Sequence, residues 1–470
     1  MDNFGSLATR IGRMTLWECN SCTIALTAGQ ESSYLPAMTA IVPADTAWML
    51  MSTALVLLMT PAAAFFYGGL VRAKNALNTM MMCVGAFAVV GVTWALIGYS
   101  LAFAGTARWI GGWEYVLLNN VGLDAKGTIP HLLFMAFQGT FAILTAVLIA
   151  GAIVERMRFG AYLAFIALWS IVVYAPVAHW VWGGGWLAQL GVLDYAGGTV
   201  VHINAGIAAV VAATLVGGRK DFGRQAMLPH NVPFVLLGMG LLYFGWFGFN
   251  AGSALAANGA AALAFTNTLL APCAALAAWM TLDAVRTGRA TAVGAATAIV
   301  IGLVVITPAA GFVSPLSALA MGALGAVPSY FAIQWRTRTR LDDSLDVMGA
   351  HGIGGISGAL LTGVFAEARW GGTDGLLFGH PAQFGIQAVG VFATIAYSAV
   401  GTFAVLKLVG LAIPLRATSR GEGVGMDITQ HGEEAYTEGE GAVLVLHEDA
   451  ESPVRHARGQ PVLATGTGVA

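Results

Sequence analysis

Long apolar stretches, separated by short polar loops, dominate the chain between about residue 43 and residue 415. An apolar run of about 18 or more residues is typical of a helix that spans a membrane. We count eleven such runs, with approximate centres at Leu57, Gly91, Thr145, Ile171, Ala208, Gly240, Ala275, Ile299, Met321, Ala359 and Ala399. The pattern predicts an all-α polytopic membrane protein with eleven transmembrane helices.

Basic residues concentrate in every second loop. Five loops carry twelve of them, namely Arg72, Lys74, Arg156, Arg158, Arg219, Lys220, Arg224, Arg286, Arg289, Arg336, Arg338 and Arg340; the five loops between carry only Arg108, Lys126 and Arg369. Loops rich in lysine and arginine normally stay in the cytoplasm. The alternation predicts a multi-pass protein of the plasma (inner) membrane, with the N-terminus outside and the C-terminus cytoplasmic.

Two spans share an acid–histidine spacing. Asp194 precedes His202 by eight residues, and Asp343 precedes His351 by eight. By the loop charges, the fifth span runs inward and the tenth runs outward. We therefore predict two inverted five-helix repeats plus one extra helix, an arrangement typical of transporters with functional residues near the midplane. Eight helical residues rise about 12 Å, which puts both histidines near mid-membrane.

The paired histidines allow two interpretations. A lone histidine in a membrane helix often does no more than bond to a neighbouring helix. The equivalent positions of His202 and His351 in inverted halves instead favour a pore lined by both rings. Small residues follow one helical turn later and predict open space beside the rings; they are Ala205, Gly206, Gly354 and Gly355.

Aromatic residues accumulate where the third, fourth and sixth spans reach the outer side. Phe137 and Phe141 lie one turn apart, and Trp182 lies where the fourth span reaches the outside. Trp246, Phe249 and Ser253 lie along the outer half of the sixth span. An aromatic belt at the lipid interface would look similar. Glycines beside these residues favour rings that face protein, where cation–π attraction is worth about 0.5–2 kcal/mol. This cluster is a candidate site for a small cation.

The composition is that of a membrane protein, and it changes towards both ends of the chain. Of 470 residues, 57% are hydrophobic and 10% charged, against roughly 25% charged in soluble domains. The net charge of −2 gives no indication of nucleic acid binding. We divide the chain into an N-terminal extension (1–42), a membrane domain (43–415) and a cytoplasmic regulatory tail (416–470).

The N-terminal extension is either a signal segment or an over-extended start, with Met38 as the true first residue. Cys19 and Cys22 form one C-x-x-C pair there. A structural zinc site needs a second pair of ligands at matching spacing, and none follows. We therefore expect no metal.

Several stretches together resemble the ammonium transporter (Amt/Mep/Rh) family, on its Amt branch. The resemblance extends from Asp45 to Tyr436 and rests on FFYGGLVRAKN, FQGTFA, GAIVERMRF, HWVWGGGW, DYAGGTVVHINA, GWFGFNAGSA, NTLLA, DDSLDVMGAHGIGGISG and MDITQHGEEAY. It implies a homotrimer with a narrow, mostly apolar pore through each subunit. It also implies a transporter or channel rather than an enzyme, with no cofactor, and a PII-type signal protein as a partner of the tail.

The resemblance assigns roles residue by residue. Phe141, Trp182 and Ser253 match the ammonium-recruiting site of the family. Phe141 and Phe249 match its stacked phenyl gate, and His202 and His351 its twin-histidine pair; Trp246 would line the pore beside them. Asp194 matches a buried acid at the pore mouth. A buried unpaired carboxylate would be costly, so we expect Asp194 to accept hydrogen bonds and asparagine to replace it without great loss of stability.

The charge of ammonium favours one mechanism. A bare cation at the bilayer centre costs from about 3 to about 10 kcal/mol or more, and the sequence shows no acid at mid-depth to offset that cost. Neutral imidazoles should therefore pass ammonia after the proton has been removed. Two alternatives stay open at this point: an ammonium sensor that signals through its tail, and a membrane haem protein with His202 and His351 as axial ligands.

Overall fold

A computed structural model of the chain describes residues 40–436. Within this range the regular elements are helices, one small hairpin and an isolated bridge between Met157 and Arg416. Ten helices are long and apolar enough to cross a membrane, and an eleventh is shorter. They are α1 (Pro43–Leu70), α2 (Ala73–Phe103), α3 (His131–Ile153), α4 (Phe159–Leu190), α5 (Gly198–Val216), α6 (Val232–Gly252), α7 (Gly259–Thr287), α8 (Ala292–Ile306), α9 (Pro315–Arg336), α10 (Met348–Phe365) and α11 (Ala382–Ala412). The predicted all-α membrane architecture is confirmed.

Three details differ from the simple pattern of eleven continuous spans. Helix α8 has 15 residues and rises only about 22 Å. Pro308 lies two residues beyond its end, and the chain continues as mostly buried turns to Val313. Helix α4 is broken at Trp182, after which Trp186–Leu190 forms a separate turn. A two-stranded hairpin, β1 (Ala125–Lys126) and β2 (Ile129–Pro130), precedes α3.

The two halves of the fold meet along equivalent helices. Helix α1, the first of the first repeat, packs along α6, the first of the second. Helices α5 and α10, the last of each repeat, also pack against each other. Both begin with a π-helical segment of six residues, Gly198–Ile203 in α5 and Met348–Ile353 in α10. Such segments are rare in proteins overall, but those that occur are frequently at functional sites. Each of these two segments carries a histidine.

A buried ionic network closes the side of the fold that carries the arginine-rich loops. Glu155 lies 2.6 Å from Arg219 and 3.0 Å from Arg72, and Arg219 lies 2.8 Å from Asp342. Burial would raise the pKa of the Glu155 carboxyl, but the two guanidinium groups outweigh burial and hold this pKa below its usual value. The stabilisation from Glu155 is therefore present at neutral pH and is lost as the pH falls through that lowered pKa.

The tail begins as two short helices, α12 (Ser419–Val424) and α13 (Met426–His431), that contact this side. Glu422 accepts a hydrogen bond from the Lys220 amide at 3.0 Å and pairs with Arg416. Asp427 accepts from the amides of Leu77 and Asn78, at 3.0 and 2.7 Å. Cys19, Cys22 and Met38, and the tail after residue 436, lie outside the described residues.

Candidate functional site

Aromatic side chains line a cavity of about 290 Å³ on the side opposite the arginine-rich loops. We call this cavity the aromatic vestibule. Its walls are Phe103, Phe134, Gln138, Phe141, Val181, Trp182, Tyr195, Ser253 and Leu255. It brings together the three residues that the sequence proposed for a cation site. The rings of Phe141 and Trp182 are perpendicular at 5.8 Å between centroids, and the Ser253 hydroxyl donates to the Phe249 carbonyl at 2.9 Å.

One wall residue of this vestibule, Phe141, belongs to a pair of stacked phenyl rings. Phe141 and Phe249 lie 4.2 Å apart between centroids with 23° between their planes, and both are buried. Phe141 is carried by α3 and Phe249 by α6. The two rings are therefore in direct face-to-face contact.

The two histidines lie directly beyond the phenyl pair. The His202 ring is 6.1 Å from that of Phe249 and 5.3 Å from that of His351, and the two imidazoles are nearly parallel, at 19°. Their Nδ1 atoms are 3.3 Å apart. One ring therefore donates this hydrogen bond and the other accepts it, which fits a pair of neutral imidazoles.

Beside the histidines lies a narrow cavity of about 20 Å³. This volume suffices for one molecule of the size of water. The cavity is lined by Met59, Ala63, Phe66, Tyr67, Leu144, Leu148, His202, Leu242, Trp246, Val300 and His351. Trp246 stacks on His202 at 5.5 Å and donates to Thr307 at 2.9 Å. Nε2 of His202 is buried and has no hydrogen-bond partner among the described residues.

The path continues to the arginine-rich side. His351, Tyr67 and Phe66 also line a larger cavity of about 470 Å³, which contains Arg219, Arg336 and Asp346. We call this cavity the arginine-lined vestibule. A row of rings thus connects the two vestibules through Trp182, Phe141, Phe249, His202 and His351.

Asp194 orients the start of α5 rather than facing the path. Its Oδ1 accepts from the amides of Gly197 and Gly198 at 2.8 and 2.7 Å, and its Oδ2 from those of Thr199 and Val200 at 2.8 and 3.1 Å. The first amides of a helix have no partner within the helix, and the carboxylate satisfies four of them. Gly197 takes a φ of +118°, which favours glycine.

The small residues beyond each histidine do not leave space beside the rings, so that expectation is wrong. A Cβ on Gly206 would lie 2.3 Å from the backbone of Gly352, and a Cβ on Gly355 would lie 3.0 Å from the backbone of Gly198 and from Cβ of His202. These glycines let the backbones of α5 and α10 touch. The space lies on the opposite face of the rings, bounded by α1, α3 and α6.

Two polar residues of the aromatic vestibule were not singled out from the sequence. Gln138 and Tyr195 line it, and each has a buried oxygen without a hydrogen-bond partner in the described part of the chain. Gln138 lies three residues before Phe141, on the same helix face, and that spacing could have indicated it. Tyr195 lies in a loop, where no helical or strand periodicity indicates which way its side chain points.

Comparisons with known proteins agree along most of the chain. A sequence model of the Ammonium Transporter Family matches residues 47–436. An ammonium transporter of Aquifex aeolicus is 50% identical over 397 residues, which cover 83% of this chain and 93% of that protein. Candida albicans Mep2 has a crystal structure that matches with a TM-score of 0.79 at 34% identity, covering 87% of this chain and 95% of that one. A structure titled Sensor Amt Protein matches with a TM-score of 0.78 at 29% identity, covering 83% and 98%.

Proposed function

The chain belongs to the ammonium transporter family, and on that premise we propose how it transports. Ammonium is recruited in the aromatic vestibule by Phe141, Trp182 and Ser253 and loses its proton. Ammonia then passes the gate of Phe141 and Phe249 and moves along His202 and His351 to the arginine-lined vestibule. Trp246 is part of the pore wall, and Asp194 holds the start of α5 in place.

One observation carries the proposal: Nε2 of His202, in the wall of the narrow cavity, is buried and has no hydrogen-bond partner among the described residues. A neutral imidazole nitrogen can donate to, or accept from, a small guest. Ammonia has both capacities and fits a cavity of about 20 Å³. The rest of the wall is almost entirely apolar.

The apolar wall of the narrow cavity favours the passage of neutral ammonia over that of the ammonium cation. A bare cation in an apolar environment at mid-membrane costs from about 3 to about 10 kcal/mol or more. Among the residues that the structure describes, none that lines this cavity has a carboxylate to offset that cost. The proton is released on the aromatic side or relayed between the imidazoles, whose shared hydrogen bond provides a route.

Uptake of labelled methylammonium tests transport directly. Cells that lack other ammonium transporters should accumulate the label when they express this chain, and added ammonium should compete. Absence of uptake, with the protein present in the membrane, would contradict transport. It would favour a sensor, the alternative to which the similarity to the Sensor Amt Protein points.

The haem alternative does not fit the histidine pair. Two in-line bonds from nitrogen to a metal, of about 2 Å each, need roughly 4 Å between the coordinating nitrogens and a macrocycle between the rings. The facing nitrogens of His202 and His351 are 3.3 Å apart, in direct hydrogen-bond contact. The adjoining cavity of about 20 Å³ is far too small for a porphyrin.

We further propose that the protein lies in the plasma (inner) membrane with the arginine-rich side in the cytoplasm. The positive-inside rule supports this orientation. Reporter fusions after Gly160, Arg224 and Arg340 should then read as cytoplasmic, and those after Lys126 and Ala256 as external. A cytoplasmic signal from the fusion after Ala256 would contradict the orientation.

Assembly and regulation complete the proposal. We propose a homotrimer, in which the tail 416–470 couples the subunits and helps a PII-type signal protein to block the pores when ammonium is plentiful. Glu422 contacts the loop after α5, and Asp427 contacts the start of α2. Both contacts lie on the side on which the arginine-lined vestibule opens, which supports a regulatory role of the tail.

A further inference from the structure

A lysine side chain is enclosed by aromatic rings next to the aromatic vestibule. Nζ of Lys126 lies 4.9 Å from the ring centroid of Phe134, 5.2 Å from Tyr115, 5.7 Å from Tyr99 and 5.9 Å from Phe103. All four distances are within the roughly 6 Å over which a ring face attracts a cation. The salt bridges of the described residues do not include Lys126, so the rings are its main counterpart.

The hairpin before α3 holds this lysine in place. Lys126 ends β1 and pairs with Ile129 of β2 across a two-residue turn. Gly127, the first turn residue, has a φ of +65°, and the Thr128 carbonyl accepts from the Val42 amide at 2.8 Å. Burial lowers the pKa of the Lys126 ammonium, which fits a cation that has lost part of its water shell.

The cage around Lys126 shares two walls with the aromatic vestibule. Phe103 and Phe134 line both, and their rings meet edge to face at 5.1 Å. Tyr99 and Tyr115 are not part of the vestibule lining. A cation on the vestibule face of Phe103 would lie within about 6 Å of that ring. It would therefore lie no more than about 12 Å from Nζ of Lys126.

We propose that the cage of Tyr99, Phe103, Tyr115 and Phe134 is a second cation site, filled in this chain by its own Lys126, and that Lys126 sets the affinity of the aromatic vestibule for ammonium. This inference rests on the proposed function. The tethered ammonium group repels an arriving cation and occupies ring faces that would otherwise attract one. Removal of its charge strengthens ammonium binding, and removal of the side chain opens the cage to a free alkylammonium ion.

The expected size of the effect follows from Coulomb's law. Two unit charges about 12 Å apart, at an effective dielectric constant between about 20 and 80, change an affinity by about two- to tenfold. Salt screens this repulsion, because the Debye length falls from about 30 Å at 0.01 M to about 3 Å at 1 M. A purely structural lysine would show no such dependence on salt.

Methylammonium uptake into proteoliposomes measures the charge effect. At about 0.01 M sodium chloride, Lys126→Met and Lys126→Gln should lower the KM by about two- to tenfold, and the difference should shrink at about 1 M. Lys126→Arg keeps the charge and should keep the wild-type KM. An unchanged KM in both uncharged variants, or the same shift in Lys126→Arg, would overturn the role of the charge.

Thermal unfolding measures the second site. Methylammonium chloride should raise the unfolding temperature of Lys126→Ala more than that of the wild type, because a ligand that binds only the folded state stabilises it. Sodium chloride is the control. An equal rise in both proteins would overturn the second site. Neither failure touches the proposed function, which fails only if the wild-type proteoliposomes take up no methylammonium.

Discussion

At the scale of single residues, Asp194 has the most clearly defined role, since its two oxygens accept four backbone hydrogen bonds. Asp194→Ala leaves four buried amides without a partner, and each unsatisfied group costs about 1–3 kcal/mol. We expect a loss of about 4 kcal/mol or more in stability, together with loss of transport. Thermal unfolding in detergent and methylammonium uptake check the two effects.

The asparagine variant refines the expectation drawn from the sequence. An asparagine oxygen can accept from two of the four amides, but its NH₂ group would face the other two donors. Asp194→Asn should therefore lie between wild type and alanine in unfolding temperature. If Asp194→Asn were as stable as wild type, hydrogen bonding to the second oxygen would contribute nothing.

Trp182 tests the aromatic vestibule as a recognition site. Its ring meets Phe141 at a right angle, and its Nε1 donates to the Asp194 carbonyl at 2.9 Å. Trp182→Leu removes a ring face worth about 0.5–2 kcal/mol to a cation, so we expect the KM for methylammonium to rise about two- to thirtyfold. Trp335→Leu, at a tryptophan that is 60% exposed, is the matched control. Equal concentration dependence in both variants would indicate a plain aromatic belt.

The residues of the proposed pathway could be selected from the sequence because they carry unusual chemistry in apolar surroundings. His202 and His351 stand out as ionisable groups in membrane helices, and Phe141, Trp182 and Ser253 belong to motifs that resemble a known family. Distances between them could not be predicted, because contacts between helices depend on side-chain packing across the whole fold. The aromatic cage around Lys126 could not be predicted for the same reason, because its four rings come from three separate parts of the chain.

At the scale of elements, the crossing of α5 and α10 sets the position of the histidines. A Cβ on Gly206 would lie 2.3 Å from the backbone of Gly352, where nothing can move aside. Gly206→Ala should therefore separate the helices, lower the unfolding temperature and impair transport.

Gly240→Ala is the matched control for this prediction. Gly240 also lies within a helix, α6, and a Cβ there meets nothing within 4 Å. Alanine favours a helix by about 1 kcal/mol over glycine, so this variant should be as stable as wild type or more so. If Gly206→Ala behaved like the control, the close crossing would not matter for the pore.

The pattern of apolar residues predicts the number and order of the helices but not their local irregularities. The eleven runs and the inverted repeat follow from hydropathy, loop charges and the paired spacing of Asp194–His202 and Asp343–His351. Hydropathy does not predict the π-helical segments at the starts of α5 and α10. It also does not predict the break of α4 at Trp182. These irregularities depend on where backbone amides find partners, as the four amides bonded to Asp194 illustrate.

At the scale of the whole molecule, the tail contacts two separate elements of the arginine-rich side. Glu422 accepts from the Lys220 amide in the loop after α5, and Asp427 accepts from the Asn78 amide near the start of α2. Truncation before Gly421 removes both contacts but leaves the eleven membrane helices intact. We expect the truncated protein to assemble like wild type and to transport at a reduced or unregulated rate. Transport and response to an ammonium shock identical to those of wild type would contradict a regulatory tail.

The central claim is that the histidine pair makes the pathway selective for ammonia. The most direct test measures ammonium-driven transport and potassium flux in proteoliposomes with the double variant His202→Ala, His351→Ala. His380→Ala, at an exposed histidine, is the control. We predict that the double variant assembles normally but loses ammonium-driven transport or admits potassium, because water and hydrated ions enter where the rings were. Wild-type rate, selectivity and proton coupling in the double variant would contradict the account.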